Sequence, residues 1–475
     1  MRNLFLSSVA LITLAGVANA ADMPVKALKA APPIDYLWNG FYLGGYYGDA
    51  ISQSSVKTPD PASVTNPGSR TGEINVNDHQ YTAGVTAGFN WKVSPNFLVG
   101  VEGDLGYLGF DRTFFKEYND ITTAGEKADW YATARVRAGY LTGPSLLYVT
   151  GGAAFVHTTD TFGGTVPTGL PLAASATSTS TRTGWTAGGG IETKLSRNWS
   201  AKTEYLYIDT GTNTFVANPF TLNANTTFSH NIHVFKSGVN YNFSGPGEGL
   251  SLFNAPMLAS NHNWGGFYVG LNAGGGMSNS GVSGKQSPLT PGATITGLND
   301  INGSGFAGGV QAGYNYMITP RYFVGVEGDF GYLGIKQNLF DWFDTQDNFT
   351  LKTDWYGTAR VRAGVSSGPA LFYVTGGVAW VRLADGFGAT VPPAFVVPGD
   401  VSWTTRTGWT VGGGTEVALD AHWSAKIETL YIDTGIRGHN DTFPFPFFAD
   451  FHERFAIARA GINYKFGNEI VTARY

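Results

Sequence analysis

Charged residues that recur at matching positions in two halves of the chain are the first candidates for chemistry. Glu102 and Asp104 return as Glu327 and Asp329, Arg135 and Arg137 as Arg360 and Arg362, and Arg182 as Arg406. Glu192 returns as Glu416, and Lys202 and Glu204 return as Lys426 and Glu428. Three kinds of chemistry use such a set. Paired carboxylates can act as acid and base in hydrolysis when one of them is isolated in an apolar pocket. Opposite charges within reach of one another make a structural ionic core. Charges strung along a bore make a narrow conduit for ions or small solutes. Glu102 and Asp104 are accompanied by cations, which argues against hydrolysis and favours the ionic core over the conduit.

Other catalytic devices find little support. A serine nucleophile needs a histidine base within reach, and the eight histidines are His79, His157, His230, His233, His262, His422, His439 and His452. None has a histidine at the equivalent position of the other half: His157 corresponds to Arg382, His422 to Asn198 and His233 to Ala456. His230 and His233 are three apart on a strand and point to opposite faces, a poor metal clamp. The run Gly188 to Gly190 lacks the strand-to-helix setting of a phosphate loop. No catalytic residue, metal or cofactor is expected, and the chain is read as a non-enzyme.

The elements that carry these residues come as a duplication. WNGFYLGG at Trp38 returns as WGGFYVGL at Trp264, FLVGVEGDLGYLG (Phe97 to Gly109) as YFVGVEGDFGYLG (Tyr322 to Gly334), and DWYATARVRAG at Asp129 as DWYGTARVRAG at Asp354. A spacing of some 225 residues is that of whole domains, not of solenoid units. Residues 38–243 form copy one, 264–475 copy two, 244–263 a Gly/Ser/Asn/Pro-rich linker and 21–37 an Ala/Pro/Lys leader. The first twenty residues, one Arg followed by an apolar stretch and Ala-Asn-Ala, read as a signal peptide cleaved after Ala20. Its removal would carry the formal charge from −5 to −6, which gives no electrostatic reason to bind nucleic acid.

Within a copy, hydrophobicity alternates with period two. Trp130, Ala132, Ala134, Val136, Ala138 and Tyr140 share one face, opposite Tyr131, Thr133, Arg135, Arg137 and Gly139. Eight such segments fit copy one, near 40–49, 80–92, 97–110, 127–141, 146–159, 182–195, 199–211 and 229–243. Strands of ten or so residues suit a membrane barrel, which needs ~9 to 11, better than a soluble sandwich, whose strands run to ~5 or 6. Short connections (VSPN at 93–96, TGPS at 142–145, SRN at 196–198) alternate with long ones, among them the Ser/Thr-rich stretches Ile51 to His79 and Thr159 to Thr181, read as exposed loops. That alternation is the rim pattern of bacterial outer-membrane barrels. Trp38, Phe41, Trp91, Phe97, Trp130, Trp185, Trp199, Tyr205, Tyr241 and Phe243 stand at strand ends, as interfacial girdles require. Glycine, at 65 residues, suits the sharp curvature and close backbone approach of a narrow barrel. Charged side chains on a lipid face would cost ~2 to 4 kcal/mol at mid-bilayer, so the recurring charges are placed in the lumen.

The export signal followed by ADMPVKA, the opening WNGFYLGG, the middle VGVEGDLGYLG and the closing SGVNYNF together resemble the opacity-porin-like outer-membrane β-barrel family of alphaproteobacteria. The likeness covers nearly all of both copies. It implies an eight-stranded barrel surrounded by outer-membrane lipid of a Gram-negative cell. Delivery would be by periplasmic chaperones, and insertion by the outer-membrane assembly machinery, which reads a last strand ending in an aromatic. Tyr241 and Phe243 supply that ending in copy one. In copy two it is reached at Tyr464 and Phe466, after which GNEIVTARY follows and makes Tyr475 a further candidate. The function expected is a porin-like barrel with a structural role in the envelope and passive passage of small solutes or ions; a surface adhesin or recognition protein presenting long extracellular loops is the alternative, and an outer-membrane enzyme a remote one.

The fold expected is therefore all-β, two tandem up-and-down barrels of eight strands, with one sixteen-stranded pore as the alternative. A twenty-residue connection between copies does not hold the eighth strand beside the next. The inward residues of copy one, Lys236 among them, carry both signs, which a narrow lumen can neutralise and an aqueous channel would hold apart.

Overall fold

The computed structural model describes residues 36, 38–60, 70–114, 123–165, 173–216, 225–243, 262–286, 295–301, 303–341, 346–391, 395–397, 402–441 and 447–466. The signal peptide, nearly all of the leader, linker residues 244–261 and Tyr475 lie outside them.

Copy one contributes β1 (Gly40–Asp60), β2 (Arg70–Lys92), β3 (Phe97–Phe114), β4 (Thr123–Thr142), β5 (Ser145–Thr165), β6 (Ala173–Lys194), β7 (Trp199–Val216) and β8 (Asn225–Asn242). Each pairs antiparallel with the next, and β1 closes on β8 from Tyr42↔Asn242 to Lys57↔Thr227. Copy two contributes β9 (Gly266–Ser278), β10 (Ser280–Gln286), β11 (Ile295–Ile301), β12 (Ser304–Met317), β13 (Tyr322–Leu333), β14 (Lys336–Asp341), β15 (Gln346–Ser367), β16 (Ala370–Val391), β17 (Phe395–Val397), β18 (Ser402–Ala418), β19 (Trp423–Asp441) and β20 (Phe447–Lys465). Its ring runs β9, β12, β13, β15, β16, β18, β19, β20 and closes from Tyr268↔Lys465 to Ser278↔Phe455, while β10, β11, β14 and β17 prolong it on one side. One bridge, Asp300↔Asn75, joins the rings among the described residues. These are two barrels of eight, as expected, and not one of sixteen.

The long connections differ from expectation. Much of Ile51 to His79 and of Thr159 to Thr181 is strand: β1 continues to Asp60, β2 starts at Arg70, β5 continues to Thr165 and β6 starts at Ala173. Polar residues dominate there, with Thr and Ser alternating over 177–181 and only scattered apolar positions such as Val56 and Phe162, but a closed ring pairs the backbone, and threonine fits the pleated sheet well. Sequence hydropathy is blind to such polar strand.

Local chemistry shapes the rest. The turns TGPS and SSGPA each place a glycine at positive φ, Gly143 at 58° and Gly368 at 57°, where a side chain would be strained. The repeated motif YIDTG is a β-bulge: register shifts between Asp209 and Thr212 and between Asp433 and Ile436, and each aspartate accepts the N–H of Gly211 or Gly435.

Two aromatic rows ring the outer face of barrel one. Phe41 packs on Phe243, Phe97 on Tyr140 and Trp199 on Tyr241 near the short turns, while Tyr81 packs on Tyr107, Trp130 on His157 and Trp185 on Tyr207 further out. Trp91 and Tyr81 stand ten residues apart on β2, so at ~3.3 Å per residue and ~40° of tilt the rows bracket about 25 Å, the height of a bilayer's apolar band. Trp38, expected in the girdle, is a correction: it is 3% exposed and folds into the mouth of barrel one. A residue just before the first strand can turn inward because no ladder yet fixes its direction.

Candidate functional site

The lumen of each barrel is filled in tiers, beginning at the short-turn rim. Trp38 packs there with Leu98, Leu141, Leu146 and Tyr148, and the Lys194 ammonium lies 4.7 Å from its ring. In barrel two Trp264 packs with Phe323, Leu371, Tyr373 and Ala418.

The charged tier comes next. In barrel one Arg135 reaches Glu102 at 2.5 Å, Asp104 at 2.6 Å and Glu204 at 2.9 Å. Arg137 bridges Glu192 at 2.9 Å and Glu102 at 3.3 Å, Lys202 meets Glu102 at 2.9 Å, and Lys236 meets Asp104 at 2.6 Å and Glu204 at 2.9 Å. Barrel two repeats this with Arg360 on Glu327, Asp329 and Glu428, Arg362 on Glu327 and Glu416, Lys426 on Glu327, and Arg459 on Asp329 and Glu428. Each tier thus holds four cations and four carboxylates and carries no net charge. The guanidinium groups of Arg135, Arg137, Arg360 and Arg362 are shut off from solvent. Tyrosines brace the carboxylates: Tyr42 donates to Glu102 and Tyr268 to Glu327, both at 2.6 Å, while Tyr148 donates to Glu204 and Tyr373 to Glu428. Glycine makes room for these rings, since a Cβ on Gly88 or Gly313 would meet the hydroxyl of Tyr42 or Tyr268 at 2.3 Å.

Above the charges the lumen turns apolar. Leu108, Phe110, Val156, Leu206, Ile208, Ile232 and Val234 form one packed layer in barrel one, with Leu333, Ile335, Val381, Leu383, Leu430, Ile432 and Phe455 in barrel two.

A last polar tier lies beyond the outer aromatic row, on the protruding wall. His230 sits between Glu126 at 3.0 Å and Asp160 at 2.9 Å, with Ser54 at 3.0 Å from Nδ1. Burial alone would lower the His230 pKa, but Glu126 and Asp160 outweigh it and push it up to about 9. A serine, histidine and carboxylate in line look catalytic; here the imidazole is charged at neutral pH, fully buried and unable to act as a base. At the matching level of barrel two stands Glu453, hydrogen-bonded by Ser280, near the ion pair of Arg406 with Asp385. Burial, reinforced by Asp385, pushes the Glu453 carboxyl up to about 7 against the opposing Ser280 and Arg406.

Fourteen of the sixteen charges singled out from sequence meet in the central tiers. Arg182 and Arg406 do not: Arg182 donates to the Gly211 carbonyl at 3.0 Å and faces Asp160 at 3.9 Å, so both belong to the outer tier. Strand alternation gives the face of a residue but not its height. Arg459 escaped the sequence reading, although KSGVNYNF at Lys236 and RAGINYKF at Arg459 align by motif. The lumenal tyrosines escaped it because aromatics were assigned to girdles. Carboxylate oxygens of Glu102, Asp104 and Glu204 lie within 4.8 Å of one another, as a hard cation would want; Arg135, Lys202 and Lys236 already supply the positive charge there. Of the strand-closing aromatics, Phe243 and Phe466 pair their N–H groups with the carbonyls of Phe41 and Phe267, and Tyr241 and Tyr464 pack against Trp199 and Trp423.

A sequence model described as "Outer membrane protein beta-barrel domain" matches residues 7–243 and again 249–466. The 31 kDa outer-membrane immunogenic protein of Brucella melitensis is 31% identical over 259 residues, covering 51% of this chain and all of that protein. The 22 kDa outer membrane protein of Rhizobium leguminosarum is 30% identical over 196 residues, covering 40% of this chain and 69% of that protein. Among solved structures, a Pseudomonas aeruginosa FadL homologue covers 90% of both chains at 10% identity, with a TM-score of 0.28.

Proposed function

The chain belongs to the outer-membrane protein β-barrel domain family and is a protein of the cell outer membrane, and from that premise we propose that it is a non-conducting structural barrel pair of the envelope, not a solute pore. The observation that carries this reading is the stacking of closed tiers: an aromatic plug, a neutral and solvent-free charge layer, and an apolar layer lie in series in each lumen. Eight strands leave an interior just wide enough for side chains to fill, and an ion crossing the apolar layer would shed its hydration with nothing to replace it. Purified, refolded protein in a planar bilayer at neutral pH should give no stepwise conductance. Steady ohmic steps from the unmodified chain would overturn the reading and restore passive passage.

A second reading has its own support. Strand continues well beyond the outer aromatic row, as β1 to Asp60 and β2 from Arg70, which carries the wall itself clear of the lipid headgroups. The Brucella relative is named for its immunogenicity. Presentation of surface segments to other cells is compatible with a closed lumen, and binding of the intact chain to host-cell surfaces tests it.

A further inference from the structure

Besides the Asp300↔Asn75 bridge, packed contacts near each rim join the barrels and leave a gap between them. Near the short-turn rim, Ile191 and Ala201 of barrel one pack with Phe372 and Val417 of barrel two, and the Thr203 and Thr415 hydroxyls share a hydrogen bond of 2.9 Å. Near the other rim Ile51 packs with Met277 and Ala456, and the His79 ring lies 6.4 Å from that of Tyr431. Between these pinch points lies a cavity of about 1300 Å³. Leu147, Val149 and Tyr205 face it from one barrel, and Leu271, Ile427 and Ile462 from the other. Glu204 and Lys236 also border it, but their charged ends are committed to each other and to the lumen, so alternation turns only their backbone to the gap. That backbone is already paired in the ladders of β6, β7 and β8.

The walls are mostly hydrocarbon and paired backbone, at the level bracketed by the aromatic rows; the hydroxyls of Thr203, Ser237 and Thr415 bond one another, Thr429 adds a further hydroxyl, and Asp49 stands at one end beside His79. Water finds few partners in such a place. A second protein copy cannot reach between two barrels tied at both ends. Acyl chains surround the barrels and can enter from the side. Small residues keep the gap open: Ala138 and Ala273 face it, and at Gly275 an added Cβ would find no neighbour nearer than the Gly305 carbonyl at 4.0 Å.

We propose that this gap is a lipid site, in which the acyl chains of one bilayer phospholipid fill the space between the two barrels as an integral part of the assembly. The lipid completes a side-by-side packing that the two convex walls cannot complete alone.

The full chain, extracted in mild detergent and examined by native mass spectrometry, should retain one phospholipid after the detergent is stripped. Ala138→Trp with Gly275→Trp, or the milder Ala138→Leu with Gly275→Leu, should lower that retention at least tenfold. Val326→Trp, on an outward position that does not line the gap, should leave it unchanged. The chain has no cysteine, so Thr203→Cys with Thr415→Cys reports docking directly, and oxidation in membranes should cross-link most of the protein. An unmodified chain that retains no lipid, equal retention in the filled variants, a free fatty acid in place of the phospholipid, or failure of the cysteine pair to cross-link would each overturn the proposal.

Discussion

Removing Arg135 is the sharpest test of the charged tier. Its guanidinium holds Glu102, Asp104 and Glu204 at 2.5 to 2.9 Å, with no solvent reaching any of the four groups. In Arg135→Met each carboxylate keeps another cation: Arg137 and Lys202 for Glu102, and Lys236 for both Asp104 and Glu204. The loss is therefore not three broken pairs but one uncompensated negative charge in a buried layer of four carboxylates and three cations, for which ~3 to 5 kcal/mol is the usual cost. Against a total stability of ~5 to 15 kcal/mol that is a large fraction. Arg135→Met with Glu204→Gln restores neutrality and should recover more than half of the loss. The exposed pair of Lys127 with Asp129 at 3.5 Å is the contrast, and Lys127→Ala should change stability by less than about 0.5 kcal/mol. Denaturant unfolding in detergent micelles, followed by tryptophan emission, measures all three. If Arg135→Met cost under ~1 kcal/mol, or if the neutralising partner change made matters worse, the layer would not work by charge balance.

Trp38→Ala removes a buried indole from the mouth of barrel one and should cost ~3 to 5 kcal/mol, yet open no conductance, because the apolar layer stays; bilayer recordings on the variant check this. Gly88→Ala should lower stability by ~1 to 3 kcal/mol by forcing Tyr42 off Glu102, read as an earlier unfolding midpoint. The two outer tiers should respond to pH in different windows. Both groups have raised pKa values, so each contributes stability in its protonated form that is lost as pH rises: between ~4.5 and about 7 for Glu453, and between ~6.5 and about 9 for His230. Hydrogen exchange of β20 against β8 across that range should separate them, and Glu453→Gln should flatten the lower window.

The architecture was legible in sequence wherever one face of a strand had to be apolar. The alternation around Arg135 and Arg137 placed both in the lumen, and strict alternation of short and long connections gave the ring order. Legibility failed where that contrast vanishes. Polar Ser/Thr strand beyond the outer row looks like loop; Leu206 and Ile208 lie inward among outward tyrosines, so that part of β7 is apolar on both faces and conceals the layer that closes the lumen. Trp38 and Tyr42 had the composition of a girdle and the position of a core. Tier height depends on stagger around the ring, which is why the alternation that turned Arg182 inward did not say which tier it joins.

Comparison of the two lumens indicates what the duplication has held fixed. Lys236 and Arg459 occupy the same place in the closing strand, differ in shape and hydrogen-bonding, and each completes a set of four cations against four carboxylates. Charge count survives there while side-chain identity does not, as expected if neutrality in a poorly solvated layer is the constraint. At the outer tier the equivalent pair is His230 and Glu453, opposite in charge type, and one partner changes with them: Glu126 faces His230, whereas Leu351 stands at its equivalent, while Arg406 with Asp385, the counterparts of Arg182 and Asp160, keep an ion pair beside Glu453. Closing a lumen by local charge balance lets each tier vary as a set, so the wall segments above it can diverge without unbalancing the layers within the membrane. Exchanging one residue without its partners, as in His230→Glu, should therefore destabilise barrel one, and adding Glu126→Leu should restore part of the loss; no recovery in the double variant would mean that the tiers are not balanced locally.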